Sequence, residues 1–364
     1  MESGGTAELF ITATPRRSLA LNAQAQELFS GLANVLRRRR ARVLQERVFA
    51  TPAALPAVLA ARAAAYGDLD DGPAPILLAV PAGPMGAIAG VQVHAVRSGA
   101  VPQVIRLGDR PVGRAVPAAG GTYVTLSGLV APEAGSNTAQ ARAIFEMAEA
   151  ALRQAGGTMR SVARTWLWIE DILAWYGNFN RVRNQFFTER GLLNGNPLHN
   201  FLPASTGIGV RPAGAPHCAL DVVAVVGGES AVEYFGAAGN QQNALDYGSA
   251  FSRTAQAATP AGKTVYVSGT AAIDETGKTR YLGDSSGQIA LTLANVRACL
   301  RDMACTDADV VHAIAYSKTP EIEKEVLGRL GELGWPCVSV IGDICRDDLL
   351  FELEATACPG AKRL

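Results

Sequence analysis

The sequence predicts an α/β fold in which one arrangement of strands and helices is repeated along a single chain. The chain has 364 residues, 48% hydrophobic and 18% charged, which is enough apolar material for several domain-sized cores. Two β-rich runs, Tyr123–Ala131 and Val265–Ala272, each carry a Ser-Gly pair. Each run is followed by the same alternation of helix-period and strand-period patterns. The repetition therefore indicates duplicated structural units.

The central and C-terminal parts give the clearest order, which is strand, helix, strand, helix and two strands. In the central part the elements are Tyr123–Ala131, Ala141–Ala155, Ala163–Ile169, Ile172–Arg190, Ser205–Val210 and Ala219–Val226. In the C-terminal part they are Val265–Ala272, Gln288–Met303, Val310–Tyr316, Glu321–Leu333, Cys337–Gly342 and Leu349–Ala357. Apolar residues at helical spacing, such as Leu293, Val296 and Leu300, support the helices.

The N-terminal third shows the same order more weakly. Its predicted elements are Glu8–Ala13, Gln24–Arg38, Arg42–Phe49, Ala53–Tyr66, Pro75–Val80 and Gly90–Val96. Three segments are predicted to be linkers, because they are rich in Gly and Pro or lack periodicity. They are Ala82–Gly86, Pro111–Gly121 and Gly227–Pro260. The predicted units are residues 1–115, a degenerate repeat, residues 116–230, and residues 231–364, which begin with the long linker.

Composition excludes several functional classes. Lys+Arg and Asp+Glu are both 33, so the basic excess typical of nucleic-acid binding is absent. The basic run Arg37–Arg40 is better explained as a helix C-terminus. No apolar run is long enough for a transmembrane helix, and the N-terminus lacks the pattern of a signal peptide. The six cysteines have no zinc-like spacing, so we expect free thiols, a cytoplasmic location and no metal.

Several polar side chains are candidates for chemistry. Glu352 and Glu354 alternate with apolar residues, so both carboxylates point to one face of a strand, about 7 Å apart. Tyr176 and Arg183 share one face of a helix, and an aromatic loop ends at Arg253. Arginine pairs with carboxylates in bidentate fashion. A solvated strand face and ordinary surface arginines remain the alternatives at this stage.

Four motifs resemble those of a known family. They are Asn178-Phe-Asn-Arg-Val-Arg-Asn-Gln-Phe-Phe187, Pro203-Ala-Ser-Thr-Gly207, the aromatic loop Tyr247–Arg253 and the strand Glu352-Leu-Glu-Ala355. The repeated unit resembles the RidA/YjgF fold, and several such units in one chain are similar to the chorismatases. Rid proteins are trimers with sites between subunits. The resemblance therefore implies tandem RidA/YjgF-like repeats that form an intramolecular pseudo-trimer in a monomer, with a higher oligomer left open.

The resemblance also implies one working site in the chain. The terminal strand of the last repeat carries Glu352, whereas the middle repeat has Ala219 at the matching position and Asp221 where the last repeat has Glu354. In the family a carboxyl at this place donates a proton. Glu352 is therefore the expected general acid, and Glu354 is expected to be structural.

The implied activity is cleavage of chorismate to pyruvate and 3-hydroxybenzoate, with no cofactor. Cys345 is the second expected catalytic residue, because aromatising members carry a cysteine at this offset. The expected substrate-binding residues are Tyr176, Arg183, Thr206, Gly207, Arg211, Tyr247, Arg253 and Ala258. An alanine at the offset of Ala258 is instead typical of hydrolytic members, so the product pattern is mixed.

Four alternatives stay open. The first two are hydrolysis of chorismate to a dihydroxycyclohexadienoate and formation of a mixture of 3- and 4-hydroxybenzoate. The other two are deamination of imines and binding of a small acid without catalysis. Imine deamination is disfavoured, because Ser205 stands where Rid deaminases carry an arginine. The retained Glu352 beside two candidate arginines argues against binding alone.

Overall fold

The described residues form a framework of three six-stranded sheets. The structure is a computed structural model, and it describes residues 1–3, 5–194, 200–214, 216–228 and 230–362. Each sheet carries two long helices on one face, and the three sheets turn their other faces toward one another. The predicted α/β fold of tandem repeats is confirmed.

The first unit supplies five strands and two helices. They are β1 (Glu2–Ser3), β2 (Thr6–Ala13), α1 (Leu21–Arg39), β3 (Arg42–Ala50), α2 (Leu55–Tyr66), β4 (Ile76–Ala79) and β5 (Ile88–Arg97). The sheet order is β1-β2-β5-β3-β4-β11. The sixth strand, β11 (Arg211–Pro212), comes from the following unit and pairs antiparallel with the edge strand β4.

The second unit forms the sheet β10-β9-β12-β8-β7-β6. Its elements are β6 (Gln103–Leu107), β7 (Arg110–Ala118), β8 (Gly121–Leu129), α3 (Asn137–Gln154), β9 (Val162–Ile169), α4 (Ile172–Glu189), β10 (Ala204–Ile208) and β12 (Cys218–Gly227). In it, β9 and β10 run parallel, as do β3 and β4 in the first unit.

The third unit forms the sheet β13-β14-β15-β18-β16-β17. Its elements are β13 (Val232–Phe235), β14 (Thr254–Thr259), β15 (Gly262–Ala271), α5 (Ser285–Asp302), β16 (Val310–Ser317), α6 (Pro320–Leu333), β17 (Cys337–Ile341) and β18 (Phe351–Ala357).

Two of the three predicted linkers contain strands, whereas Ala82–Gly86 lies between β4 and β5. Most of Pro111–Gly121 is β7, which pairs on both sides. Its prolines lie near the strand ends, and Gly113 lets the backbone approach Thr125 more closely than a side chain would permit. The segment Gly227–Pro260 contains β13 and β14. Because the second sheet already begins at Gln103, a boundary at residue 115 falls inside β7. Pairing across the sheet overrides the local turn signals.

Among the residues that the structure describes, the buried apolar side chains form four hydrophobic cores. Each unit has one core between its own helices and sheet. A fourth core lies where the inner faces of the three sheets meet, and it includes Phe49, Trp168 and Tyr316. These are the last-but-one residues of β3, β9 and β16, so they occupy equivalent positions. Within the described residues, no helix has both the length and the apolar character needed to span a membrane.

Candidate functional site

The candidate site lies between the second and third units, at a contact that we call the second–third junction. It is formed by β10 of the second unit and by β15, β18 and the loop 342–350 of the third. The Ser205 backbone N–H donates to Ser268 Oγ at 2.8 Å. Gly209 and Asp343 exchange two backbone hydrogen bonds, of 2.7 and 3.3 Å. These bonds fix β10 against the third unit and therefore fix the walls of the site.

A pocket opens at this junction. Residues of both units line it: Tyr176, Arg183, Ser205, Gly207, Ser249, Phe251, Arg253, Gly269, Ala271, Ile273, Cys345, Arg346, Leu349 and Glu352. The pocket thus combines an apolar and aromatic wall with a small set of charged groups.

Glu352 is the one carboxyl group among these lining residues. It lies on β18 opposite Ala271 and Tyr316 of the neighbouring strands, and only 5% of it is exposed. Burial, reinforced by the nearby Glu354, raises the pKa of Glu352 to about 8, although Arg164 and Arg253 act in the opposite direction. The side chain is therefore largely protonated at neutral pH, as a general acid requires.

A glycine makes room for this carboxyl. A Cβ at Gly269 would overlap Glu352 Oε1 and would press on Thr206 Cγ2 at 3.1 Å. Gly269 belongs to the Ser-Gly pair of β15 that the sequence analysis identified, and both residues of the pair contribute to the site. Ser268 contacts the neighbouring strand, and Gly269 leaves space for the acid.

Three arginines give the pocket its positive charge. Arg183 and Arg253 are 1% and 2% exposed, and their guanidinium carbons lie 5.9 and 5.5 Å from the centroid of the Phe251 ring. Asn180 Oδ1 accepts a hydrogen bond from Arg183 at 2.7 Å, and the carbonyl of Gln242 accepts one from Arg253 at 3.1 Å. The half-buried Arg346 donates to the carbonyl of Gly277 at 2.8 Å. With Glu352 protonated, this pocket favours an anionic ligand.

Tyr176 covers the strand at Gly207. Its ring atoms would be 3.3 Å from a Cβ placed on that glycine, so the absence of a side chain lets the ring lie close to β10. The ring stacks on Phe179, with 6.4 Å between centroids. The predicted pairing of Tyr176 and Arg183 on one helix face thus brings both into the pocket.

Cys345 lies in the loop 342–350 and is half-buried. Burial, with the nearby Glu352, raises the pKa of its thiol to about 12. The group is therefore a neutral thiol near pH 7 rather than a nucleophilic thiolate. It offers the pocket a polarisable wall and a weak hydrogen-bond donor.

Three predicted binding residues do not line the pocket. Thr206 points behind the wall, where its hydroxyl accepts from Arg164 at 2.5 Å. Arg211 lies on β11 in the first sheet, is half-exposed and pairs with Glu170 at 3.0 Å. Ala258 lies on β14 and pairs with Lys263. Side chains alternate along β10, so Thr206 points away from the pocket that Ser205 and Gly207 line. Arg211 lies away from the pocket because its short strand, β11, joins the sheet of the first unit. Tyr247 ends a short 3-10 helix, and its side chain lies outside the described part of the structure.

Other lining residues escaped the sequence interpretation. Phe251 and Ser249 lie inside the aromatic loop that was recognised, so only their individual roles were missed. Arg346 directly follows Cys345, and its positive charge beside a candidate site residue could have identified it as a lining residue. Ile273 and Leu349 carried none, because apolar residues at strand ends are common.

The equivalent positions at the other two contacts lack a carboxyl. Phe49, Trp168 and Tyr316 are the last-but-one residues of β3, β9 and β16. Their partners on the neighbouring strands are, in the same order, Gly90, Ala219 and Glu352. Gly90 packs against Val338, with a gap too small for a longer side chain. Ala219 is fully buried in the shared core. The asymmetry expected from the sequence is therefore present in the geometry.

Comparisons with known proteins agree with this architecture. Residues 242–333 match the family model described as endoribonuclease L-PSP. A crystal structure of a chorismatase is 19% identical, has a TM-score of 0.62, and the match covers 97% of this chain and 99% of that one. No curated protein matches the sequence.

Two single-unit structures are also similar to part of the chain. A putative endoribonuclease from Thermotoga maritima is 21% identical, with a TM-score of 0.29 and coverage of 35% and 99% of the two chains. A Rid family protein from Yersinia pestis is 18% identical, with a TM-score of 0.30 and coverage of 35% and 98%. The chorismatase match over nearly the whole length shows that this chain has the chorismatase-like fold of tandem Rid-type units.

Proposed function

We propose that the protein is an enzyme of the chorismatase type that cleaves the enol ether of chorismate and releases pyruvate. One observation carries the proposal: Glu352, a buried and largely protonated carboxyl group, shares a pocket with Arg183, Arg253 and Arg346. The chorismatase-like fold supports it, since the pocket lies between two units of that fold. An acid among cations suits a reaction in which an anionic substrate must be protonated.

The first step uses the proton of Glu352. The Glu352 carboxyl group transfers it to the methylene carbon of the enolpyruvyl group, and an oxocarbenium ion and the Glu352 carboxylate result. Water adds to the cation and loses a proton, which gives a hemiketal. Collapse of the hemiketal breaks the bond between its central carbon and the ring oxygen, the ring oxygen takes up a proton, and pyruvate is released with the dihydroxycyclohexadienoate. A proton from solution restores the acid.

The arginines fit the charge of the substrate. Chorismate carries two carboxylates, one on the ring and one on the enolpyruvyl group. Arg183 and Arg253 approach the pocket from different units, so together they can hold both ends of a dianion. Arginine binds carboxylates in a fixed fork, which orients the substrate as well as attracting it. Tyr176 and Phe251 supply flat surfaces for the ring.

The preferred product is 3-hydroxybenzoate, with hydrolysis to a dihydroxycyclohexadienoate as the second candidate. Cys345 lines the pocket as a neutral thiol, which supports the aromatising route that the resemblance implies for a cysteine at this place. Ala258 lies outside the pocket, so it contributes no argument for hydrolysis. In the aromatising route the ring rearranges and loses water beside Cys345.

The decisive experiment mixes the purified protein with chorismate and separates the products by chromatography. We expect equal amounts of pyruvate and of an aromatic acid that co-elutes with 3-hydroxybenzoate, and pyruvate release at least about 10²-fold slower from Glu352→Gln. Elution with 4-hydroxybenzoate or with the dihydroxycyclohexadienoate would correct the product. Bound but unchanged chorismate would favour a binding protein, and the absence of both binding and turnover would refute the proposal.

A further inference from the structure

A second buried carboxylate lies two residues beyond the candidate acid. Glu354 is 4% exposed and lies on the same inner face of β18 as Glu352, because Phe351, Leu353 and Ala355 between and beside them pack into the outer core. Its two oxygens accept hydrogen bonds from Arg164 Nη2 at 2.7 Å and from Trp166 Nε1 at 2.6 Å. Both donors come from β9 of the second unit, so the carboxylate is fixed across the junction.

Arg164 connects this ion pair to the wall of the pocket. The same Nη2 atom donates to Thr206 Oγ1 at 2.5 Å, and Thr206 lies between the lining residues Ser205 and Gly207 on β10. Arg164 is 1% exposed. The pair is therefore dry and close to Glu352, and in such surroundings charges act on one another with little screening.

We propose that Glu354 is a positioning residue that keeps Glu352 in its protonated form, with Arg164 limiting the strength of that effect. A negative charge fixed beside Glu352 opposes its ionisation, whereas the adjacent guanidinium favours it. The inference deepens the proposed function, because a protonated Glu352 is what enol-ether cleavage requires. It assigns a chemical purpose to a carboxylate that otherwise resembles a structural partner of Arg164.

The other groups that face Glu352 do not supply this effect. Arg253 lowers the pKa of Glu352. Arg183 and Arg346, from α4 and the loop 342–350, are also cations that line the pocket. Tyr316 and Cys345 are neutral near pH 7, because burial raises the pKa of both groups. Glu354 is thus the one other carboxylate among the described groups that act on Glu352.

The first and second units contain a matched pair that separates this role from a merely structural one. Asp221 occupies on β12 the position of Glu354 on β18, and its carboxylate pairs with Arg47 of the preceding unit at 3.0 Å. Both partners are buried. The residue two positions earlier is Ala219, so β12 carries no acid at the position that Glu352 occupies on β18. Removing the charge of Asp221 repeats the structural damage without the effect on Glu352.

The test measures the ionisation of Glu352 directly, without chorismate. The carboxyl stretching band of Glu352 is obtained from infrared difference spectra between the wild type and Glu352→Gln over a pH series. In Glu354→Gln, compared with a Glu352→Gln/Glu354→Gln background, we expect the pKa of Glu352 to fall by about one unit, the scale for loss of a nearby like charge. In Asp221→Asn it should stay at its wild-type value. An unchanged titration in a folded Glu354→Gln protein would overturn the proposal.

A rate measurement checks the consequence. If chorismate is cleaved, kcat/KM of Glu354→Gln should match the wild type at pH 6 and fall about tenfold below it at pH 9, because the protonated fraction is lower by that factor per unit of pKa. An equal loss at every pH would mean a structural role and overturn the proposal. If no chorismate is cleaved, the proposed function fails, whereas the infrared result still decides the role of Glu354.

A second variant covers the case in which Glu354→Gln does not fold. Glu354→Gln/Arg164→Met removes the pair without leaving a buried charge alone. Since Glu354 acts on Glu352 more strongly than Arg164 does, the pKa of Glu352 should lie slightly below the wild-type value. A value equal to or above that of the wild type would overturn the proposal.

Discussion

The contact between the first and second units and the second–third junction share a framework but differ in chemistry. Both have a Ser-Gly pair on an inner strand, Ser127-Gly128 and Ser268-Gly269. Both are crossed by a buried ion pair, between Arg47 and Asp221 at 3.0 Å or between Arg164 and Glu354 at 2.7 Å. The difference is that Ala219 replaces Glu352. The framework is therefore a property of the repeat, whereas the acid is a property of one position.

The neighbouring strands reinforce this difference. At Gly128 the facing residue of the first unit is Ile76, whose side chain would be 3.8 Å from an added Cβ. At Gly269 the facing residue is Thr206, and Gly207 next to it leaves space that Tyr176 covers. An apolar residue closes one contact, and small residues leave the other open. Whether a repeated interface contains a pocket thus depends both on the side chains that the neighbouring unit contributes and on the positions where it has only small residues.

Removing the acid should have the largest effect on the comparison. Glu352→Gln keeps shape and polarity but cannot donate a carboxyl proton, so kcat for pyruvate release should fall by about 10²- to 10⁴-fold. The measurement is continuous detection of pyruvate at saturating chorismate. Asp221→Asn is the matched control, and the folded Asp221→Asn protein should release pyruvate at the wild-type rate. Near-wild-type turnover in a folded Glu352→Gln protein would remove Glu352 from the mechanism.

The next effect concerns the arginines of the two contacts. Arg183→Ala and Arg253→Ala should each weaken productive chorismate binding by roughly 2–5 kcal/mol, because each would leave a buried carboxylate without its partner. Lysine should rescue poorly, since it lacks the planar fork.

Arg211→Ala is the control from the contact between the first and second units. Arg211 is half-exposed and pairs with Glu170, so its loss should change kcat/KM by about twofold or less. If Arg211→Ala alone lowers kcat/KM, the substrate is bound at the contact that lacks the acid.

The two glycines allow a subtler test. In Gly269→Ala the added methyl group displaces the mobile end of Glu352, so the protein should fold while turnover falls by about 10- to 10²-fold through misplacement of the acid. In Gly128→Ala the added methyl group would make an ordinary van der Waals contact with Ile76, but the φ of +60° is strained for alanine. That variant should lose about 1–2 kcal/mol of stability and keep its turnover. Thermal melts and pyruvate assays on both proteins would show whether the effects separate in this way.

The smallest effect concerns product choice. Cys345→Val should leave chorismate consumption measurable while moving the product from 3-hydroxybenzoate toward the dihydroxycyclohexadienoate, because protonation by Glu352 does not need the thiol. Stability should change by less than about 1.5 kcal/mol, since the two side chains are similar in size. The product ratio is measured at equal chorismate consumption, and an unchanged ratio would leave Cys345 as a wall residue only.

The sequence predicted most of the secondary structure because periodicity and repetition reinforce each other. It also brought Glu352, Cys345, Tyr176, Arg183, Gly207 and Arg253 together, although the evidence for their grouping was the family resemblance rather than spacing. It misassigned β7 and β13–β14 as linkers, because pairing with neighbouring strands outweighs prolines and glycines. Arg211 was misplaced for a related reason: β11 crosses to the first sheet, and no local pattern reports which sheet a two-residue strand joins.

The partners of Glu354 could not be predicted from the sequence for a different reason. Alternation placed its carboxylate on the same face as that of Glu352, which the structure bears out, but the partners Arg164 and Trp166 lie 190 and 188 residues away in the chain. Alternation along the sequence predicts the face of the strand to which a side chain points. The packing of the units decides which charged residue lies opposite it.

The second–third junction is made within one molecule, and this has a consequence for dilution. In a trimer of separate subunits, a site between chains disappears when the protein concentration falls below the dissociation constant. Here the linked units meet at an effective concentration that the tether sets and that the solution does not alter. Pyruvate formed per molecule should therefore stay constant from micromolar to picomolar protein, and the midpoint of thermal unfolding of this junction should be independent of protein concentration.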